Sequence, residues 1–212
     1  MRCIARGIFI AVLYCSSLTA SAWFEFDPAG RLPATAQNTS GAGSLDVILG
    51  ELTDLTEVDM FWIRIADAMA FSASTVPDPF TVADPELFLF DRLGKGVYAN
   101  DDANGSQSEL PAAHPLGPAS AGLYLLAIGR FDNEPVSSSG FIFTQNAGVN
   151  GPTAGGGSPI TGWDDNVTGR IDLNTFYQIS LTGGEFANIP EPATLILSGA
   201  GLLLAYLLKR RR

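Results

Sequence analysis

The sequence predicts an all-β domain, a β-sandwich or barrel, followed by one C-terminal transmembrane helix. Through most of the chain the apolar runs are short, rich in β-branched and aromatic residues, and separated by Gly, Pro, Asp and Asn. Over the first half these runs begin at intervals of roughly 10 to 15 residues, which is typical of sandwiches and barrels. One uncharged apolar run, 193–208, instead has the composition of a membrane helix.

Eight segments are predicted to be strands: SLDVILGEL, VDMFWIRI, FSASTV, ELFLF, GVYAN, LYLLAIG, GFIFT and FYQISLTG. In two of them every second residue is apolar, which predicts that one face of the strand points into the core. These residues are Phe61, Ile63 and Ile65 in VDMFWIRI, and Tyr177, Ile179 and Leu181 in FYQISLTG.

Two further local patterns concern turns and loops. LFLFDRLGKGVYAN is typical of a β-hairpin, with 87–90 turning through 91–96 into 97–99. The glycine-rich segment 146–169 lacks the Gly-Lys-Ser/Thr ending of a phosphate-binding loop, so we predict a long mobile surface loop there.

The N-terminal segment has the parts of a secretory signal peptide. Two arginines precede an apolar stretch over 7–18, and the small residues Ala20 and Ala22 form the small-x-small pattern that signal peptidase recognises. We therefore predict cleavage after Ala22, which makes 1–22 a signal peptide and 23–188 an exported β-sandwich ectodomain.

Both cysteines, Cys3 and Cys15, lie in this N-terminal segment. An alternative is a lipoprotein anchored on Cys15, but Tyr14 is bulkier than the small residue expected before a lipidated cysteine. After cleavage the chain has no cysteine, which excludes disulfides, thiolate nucleophiles and cysteine metal sites from the exported domain.

Residues 189–212 contain three parts in order: Pro190-Glu191-Pro192, the apolar run 193–208, and four terminal cations. A buried core helix would carry a polar stripe, which LILSGAGLLLAYLL lacks, so a membrane helix is favoured. The run is shorter than the ~20 residues of an ordinary span and is therefore marginal. By the positive-inside rule, the terminal cations predict a cytoplasmic C-terminus and an ectodomain outside the membrane.

This three-part pattern resembles the PEP-CTERM sorting signal of Gram-negative bacteria that secrete extracellular polysaccharide. The resemblance implies that an integral-membrane exosortase recognises Pro190-Glu191-Pro192 and releases or transfers the ectodomain. The resemblance implies an exosortase and extracellular polysaccharide as partners, whereas the two ends of the chain predict signal peptidase and, before processing, the inner membrane. The implied location is the inner membrane with a periplasmic ectodomain, then the cell surface or the medium. The prolines keep the motif extended, and Gly183 and Gly184 are predicted to form a hinge before it.

A second resemblance covers roughly residues 44 to 132. The order of strands and loops there resembles the bacterial pre-peptidase C-terminal domain, a jelly-roll-like β-sandwich. The matching residues are Val58-Asp59-Met60-Phe61, Leu87-Phe88-Leu89-Phe90-Asp91 with Gly94, Ala99-Asn100-Asp101-Asp102, and Ala121-Gly122-Leu123-Tyr124-Leu125. In that family the domain assists secretion, surface attachment or binding and is not the catalytic part.

The predicted ectodomain is strongly acidic, with six basic and 21 acidic residues. This balance excludes a nucleic-acid partner, which would need clustered Lys and Arg, and suits divalent cations. In NDDANG, the residues Asn100, Asp102 and Asn104 before Gly105 match the alternating oxygen ligands of a calcium loop. An Asx-rich turn is the favoured alternative, because a twelve-residue calcium loop would start with Asp and end with Glu rather than Pro111. Calcium is the one cofactor that the sequence suggests.

Catalytic groups are scarce, and we predict no catalytic residue. His114 is the one histidine and lies in a proline-rich loop, so neither a Ser-His-Asp triad nor a zinc cluster is expected. Carboxylates are abundant, which leaves a two-carboxylate glycosidase open. The sequence favours a non-catalytic surface or extracellular-matrix protein associated with exopolysaccharide or biofilm. The alternative is a small secreted polysaccharide-active enzyme or carbohydrate-binding module.

Overall fold

The computed structural model describes residues 20–26, 28–75, 82, 84–103, 105–146, 148–167 and 175–190. This part of the chain forms β-strands and one 3-10 turn, Gly155–Gly157, which confirms the all-β prediction. The strands are β1 Ala22–Phe24, β2 Gln37–Asn38, β3 Val47–Glu51, β4 Asp59–Ile65, β5 Ser72–Thr75, β6 Pro85–Asp91, β7 Gly96–Asn100, β8 Glu109–Leu110, β9 Gly122–Arg130, β10 Pro135–Ser137, β11 Gly140–Phe141, β12 Val149–Asn150, β13 Ile160–Trp163, β14 Phe176–Thr182 and β15 Gly184–Phe186.

No helix within these described ranges is long and apolar enough to cross a membrane. The predicted transmembrane helix, 193–208, lies outside the described residues, as does nearly all of the predicted signal peptide.

The strands form three sheets. The outer sheet has the order β1-β3-β14-β5-β8, and the central sheet has the order β12-β7-β6-β9-β4-β15, with β2 paired to β4. A small third sheet has the order β11-β10-β13. Most neighbours are antiparallel, whereas β1 with β3 and β2 with β4 are parallel.

The main core lies between the outer and central sheets, which makes this part of the fold a β-sandwich. Ile48 of β3 and Ala73 of β5 pack from the outer sheet into the same buried cluster as Leu126 and Ile128 of β9. The two predicted core faces are confirmed, because all six of their residues are buried in this cluster: Phe61, Ile63, Ile65, Tyr177, Ile179 and Leu181.

A second core covers the opposite face of the central sheet. Phe88 and Phe90 of β6 pack there against Phe143 and against Trp163 of β13, and the Phe88 and Trp163 rings lie 5.1 Å apart edge to face. The central strands are therefore buried on both faces, and every residue of β6 before Asp91 is buried. Double-sided burial explains why LFLF, residues 87–90, and LYLLAIG are continuously apolar rather than alternating.

The predicted hairpin is confirmed. Strands β6 and β7 pair antiparallel, and the backbone N–H groups of Leu93 and Lys95 donate to Asp91 Oδ1 in the turn between them. Gly94 has φ +78° in this turn, a left-handed conformation that glycine adopts without a side-chain clash.

The prediction of a mobile loop over 146–169 is wrong for most of that segment. It contains the 3-10 turn, β12 of the central sheet and β13 of the small sheet, which covers the second core. Gly155 and Gly156 are buried, and a Cβ on Gly155 would overlap the carbonyl oxygen of Phe141. These glycines allow close packing of backbone against backbone, and sequence alone does not distinguish that role from flexibility.

Candidate functional site

A cavity of about 360 Å³ opens at one end of the central sheet, and carboxylates dominate its lining. We call it the acidic cavity and define it by its five acidic residues, Glu86, Asp101, Asp102, Asp132 and Glu134. The side chains of Phe131, Gln145, Asn146 and Asn150 complete the lining that the described residues provide.

The strand register explains why these acids meet. Strand β6 lies between β7 and β9 and is antiparallel to both, so the beginning of β6 adjoins the ends of its two neighbours. Glu86 of β6 pairs with Gly129 of β9, and Leu87 pairs with Asn100 of β7. The acids that follow β7 and β9 are thereby brought to Glu86, although up to 48 positions separate them along the sequence.

Three acids of the cavity are nearly inaccessible to solvent: Glu86 is 3% exposed, Glu134 7% and Asp101 9%. We call them the buried carboxylates. One oxygen of each, Glu86 Oε2, Asp101 Oδ1 and Glu134 Oε2, has no hydrogen-bond partner among the described residues. Buried polar atoms are normally paired, so these three oxygens point to a ligand or to protons.

The electrostatics of the cavity follow from burial and crowding. Burial raises the pKa of Asp101 to about 7, and the charge of Asp102 contributes in the same direction. Burial also raises the pKa of Glu134 to about 7 and the pKa of Glu86 well above its usual range, where Glu134 is the next largest cause. Without a counter-charge, the cavity therefore disfavours ionisation of its own carboxylates.

Asp84, directly before β6, extends the cluster. Asp84, Asp101 and Asp102 each offer a carboxylate oxygen, and the three oxygens lie within 4.8 Å of one another. Burial and then the charge of Asp102 raise the pKa of Asp84. Three converging carboxylates match the ligand set of a hard divalent cation.

The residues of the predicted calcium loop have different positions in the structure. Asp102 is exposed at the acidic cavity, whereas Asn100 is buried and its Oδ1 accepts the N–H of Glu109 at 3.1 Å. Asn104 lies outside the described residues, so the predicted trio stays a prediction. The NDDANG pattern did not identify Asp84 and Asp101 as candidate ligands. The adjacent pair Asp101-Asp102 was a usable signal, whereas Asp84 requires the strand register.

A larger groove, of about 590 Å³, lies on the outer sheet. Its lining combines the exposed rings of Phe24 and Phe176 with the carboxylates of Glu25, Glu51 and Glu57. Both phenylalanine rings are 61% exposed. The groove therefore combines apolar ring faces with hydrogen-bond acceptors.

A buried carboxylate, Asp59, lies behind this groove. Its Oδ2 accepts the hydroxyl of Tyr177 at 2.9 Å, and its Oδ1 accepts the N–H of Ala29 at 3.2 Å. Burial raises the pKa of Asp59 to about 8, and the nearby charge of Glu25 adds to the effect. Asp59 is completely inaccessible to solvent and therefore acts on stability rather than directly on a ligand.

His114, the one histidine, packs its ring on Tyr98 with centroids 6.3 Å apart. Its Nδ1 accepts the backbone N–H of Leu116. These contacts hold the imidazole in the loop before β9.

The predicted signal-peptidase residues lie at the start of the described chain. Ala20 is exposed, and Ala22 is the first residue of β1. Between them, the Ser21 N–H donates to Asp46 Oδ2 and the Ser21 carbonyl accepts the N–H of Asp46. Cleavage after Ala22 would remove these bonds and leave a strand that begins at Trp23. The cleavage site stays a prediction.

Hydrogen bonds fix the C-terminal end of the domain as far as Ile189. Asn38 accepts the Ile189 N–H through Oδ1 at 3.0 Å and donates to the Ile189 carbonyl at 2.8 Å. Pro190 follows and is exposed, whereas Glu191 and Pro192 lie outside the described residues. The sorting motif thus begins directly behind the last residue that the domain holds by hydrogen bonds.

The predicted hinge at Gly183 and Gly184 is wrong. Gly183 forms the tight turn between β14 and β15 with φ +70°, and a Cβ there would lie 3.0 Å from the carbonyl oxygen of Asp67. Gly184 belongs to β15, which pairs with β4. The turn needs glycine for its backbone conformation, and the two residues are part of the packed sandwich.

Comparison with protein families identifies a match at the C-terminal end of the chain. Residues 188–212 match the family model of the PEP-CTERM protein-sorting motif. This confirms the sorting signal predicted from Pro190-Glu191-Pro192 and the segments behind it. A search of curated proteins finds no match to the chain. The resemblance to the pre-peptidase C-terminal domain stays an expectation.

Proposed function

We propose that this chain is a non-catalytic protein of the cell surface or extracellular matrix, presented there by exosortase sorting. The PEP-CTERM motif at 188–212 is the observation that carries the proposal, since this motif is the export and sorting signal that exosortase recognises. The domain before the motif is strongly acidic, and a large net charge keeps a protein soluble. This property is consistent with a role outside the cell. Association with exopolysaccharide or biofilm is part of the proposal.

Processing should depend on the carboxylate of Glu191. Glu191→Gln keeps the size and backbone of the motif and removes only the charge that an exosortase would have to pair with its own donor or cation. We expect the precursor to accumulate in the inner membrane while the wild type reaches the surface or the medium. Fractionation with immunoblotting measures this.

Two variants control for that experiment. Glu185→Gln makes the same chemical change six positions upstream, at a half-exposed residue of β15, and should mature like the wild type. Leu203→Arg places a charge in the apolar run and should prevent stable membrane insertion. If Glu191→Gln matures at the wild-type rate while Leu203→Arg does not, the motif is only a spacer and the proposed recognition is wrong.

Topology gives an independent test of the sorting precursor. The terminal cations, 209–212, predict a cytoplasmic C-terminus, so alkaline phosphatase fused after Arg212 should be inactive. The same enzyme fused after Asn188 should be active, because that position lies on the periplasmic side. Activity of the Arg212 fusion would reverse the proposed orientation.

The groove on the outer sheet favours a second candidate, a carbohydrate-binding module. Phe24 and Phe176 offer exposed rings on which a sugar can stack, and Glu25 and Glu51 offer acceptors for sugar hydroxyls. Binding of the purified protein to a glycan microarray tests this role, and Phe176→Ala should abolish the signal. If the wild-type protein binds no glycan on the array, the carbohydrate-binding role is wrong. The non-catalytic surface or matrix role then stays as the proposed function.

A further inference from the structure

We propose that the acidic cavity is a binding site for a divalent cation, and that calcium is the cation that it fits. The ligands are carboxylates from three segments that the central sheet brings together: Asp84, Glu86, Asp101, Asp102 and Glu134. The inference is independent of the sorting motif, so failure of either proposal leaves the other intact.

Burial is the first observation behind this proposal. Glu86, Asp101 and Glu134 are each at least nine-tenths inaccessible, yet each has an oxygen without a hydrogen-bond partner among the described residues. An ionised carboxylate in this state carries an uncompensated desolvation cost. A cation in the cavity would compensate the charge of these buried carboxylates.

The spacing of the oxygens is the second observation. Calcium–oxygen bonds are ~2.4 Å long, so two oxygens on one calcium ion lie at most about 5 Å apart. The carboxylate oxygens of Asp84, Asp101 and Asp102 all lie within 4.8 Å of one another. One calcium ion can therefore contact all three without a change in the strands that carry them.

The donor types favour calcium over other metals. The lining offers only oxygen and amide donors, without His or Cys among the described residues, which disfavours zinc and copper. Carboxylates from three separate segments suit the six to eight irregular ligands of calcium better than the strict octahedron of magnesium. Asn150 is not a ligand, since its carboxamide already bonds Thr144 and Asn146 within its own turn.

The proposed ligands differ in solvent exposure, so the site has one open end and one buried end. Asp102 is exposed and is the first carboxylate that an ion from solvent meets, whereas Glu86 lies at the buried end. This site differs from the loop pattern of the sequence analysis, because Asn100 points to the backbone of Glu109 instead of the cavity. Asp84, directly before β6, and Glu86 of β6 contribute the ligands that a single loop does not supply.

Thermal unfolding of the full chain in detergent, after removal of metals with a chelator, tests the site. Calcium at about 100 times its Kd should raise the Tm by about 5 to 10 °C, because it binds only the folded state. Magnesium at the same concentration should give a clearly smaller shift. Titration calorimetry with calcium chloride should give a stoichiometry of one.

Matched variants locate the ion. Glu86→Gln and Asp102→Asn should each remove most of the calcium-dependent shift, whereas Glu185→Gln, a carboxylate outside the cavity, should keep it. The calcium-free Glu86→Gln protein should be at least as stable as the wild type, because the substitution relieves repulsion with Glu134. A purely structural role for Glu86 would instead lower the Tm with and without calcium.

Three results would overturn the proposal. The first is the absence of any Tm shift at about 10 mM calcium, a concentration that saturates even the weak extracellular class of sites. The second is a shift that both cavity variants retain in full. The third is an equal shift with magnesium that sodium chloride of the same ionic strength reproduces, which would indicate general screening. If Glu86→Gln does not fold, the exposed Asp102→Asn decides the outcome.

Discussion

Replacing Phe88 with alanine should destabilise the domain by about 3 to 5 kcal/mol, a large part of the total stability of an ordinary domain. Phe88 is completely buried in the central sheet, where its ring contacts Phe90, Phe143 and Trp163. Its removal would leave a cavity between the central sheet and the small sheet. The surrounding strands cannot close this cavity, because their hydrogen-bonded ladders fix their positions.

Urea unfolding of the wild type and the variant measures this difference. Phe176→Ala is the matched control. It removes the same type of side chain from β14, where the ring of Phe176 is 61% exposed. The control should change the free energy of unfolding by less than about 1 kcal/mol. A loss at Phe88 no larger than the loss at Phe176 would show that the small sheet does not pack firmly on the central sheet.

The strands of the sandwich could be predicted because their pattern is local. Alternation in VDMFWIRI places Phe61 and Ile63 on one face, and both are buried in the main core. The turn from β6 to β7 was equally visible, since Asp91 and Gly94 have the side-chain oxygen and the backbone freedom that a tight turn needs.

Strand β13 of the small sheet could not be predicted, because the segment that contains it resembles a loop. The strand is short, and the preceding residues Gly155 and Gly156 are of the type that usually indicates flexibility. Their actual role is to admit the backbone of the neighbouring segment, which depends on the position of Phe141. A contact of this kind is set by tertiary packing and leaves no periodic pattern in the sequence.

The acidic cavity was partly predictable. Asp101-Asp102 follows a predicted strand, and the pattern NDDANG there predicted a candidate calcium site. Glu86 was not identified as a candidate ligand. It directly precedes the apolar residues 87–90, and a polar residue at that position is ordinary at the end of a strand. Only the antiparallel pairing of β6 with both β7 and β9 shows that Glu86 and Glu134 meet. The sequence contained the ligands, and the strand register supplied their grouping.

Replacing Asp59 with asparagine should stabilise the domain, and this gain in stability should increase steadily from pH 5 to pH 8.5. Burial, with the charge of Glu25, raises the pKa of Asp59 to about 8 in the folded protein. In the unfolded chain the pKa is about 3.9, so the folded state binds this proton more tightly. Neutral Asp59 therefore contributes stability at acid pH that is lost as the pH rises from about 4 to about 8.

The carboxamide that Asp59→Asn introduces stays neutral at every pH and so mimics protonated Asp59. Its oxygen can accept the Ala29 N–H, and its nitrogen can donate to the hydroxyl of Tyr177, the two groups that contact Asp59 in the wild type. The difference in Tm between the variant and the wild type should be larger at pH 8.5 than at pH 5 by at least about 5 °C. The carboxylates of the acidic cavity also titrate in this range, but they are the same in both proteins and cancel in the difference.

Tyr177→Phe provides a variant with the opposite expected sign. The Tyr177 hydroxyl donates to Asp59 Oδ2 and lowers the pKa of that carboxyl, so its removal should raise the pKa further. Stability should then fall more steeply with rising pH than in the wild type. Calorimetric scans of the three proteins at several pH values between 5 and 8.5 measure both effects. A Tm difference between wild type and Asp59→Asn that stays constant over this range would mean that Asp59 ionises normally in the folded state. The contact with Tyr177 would then offset the cost of burying its charge.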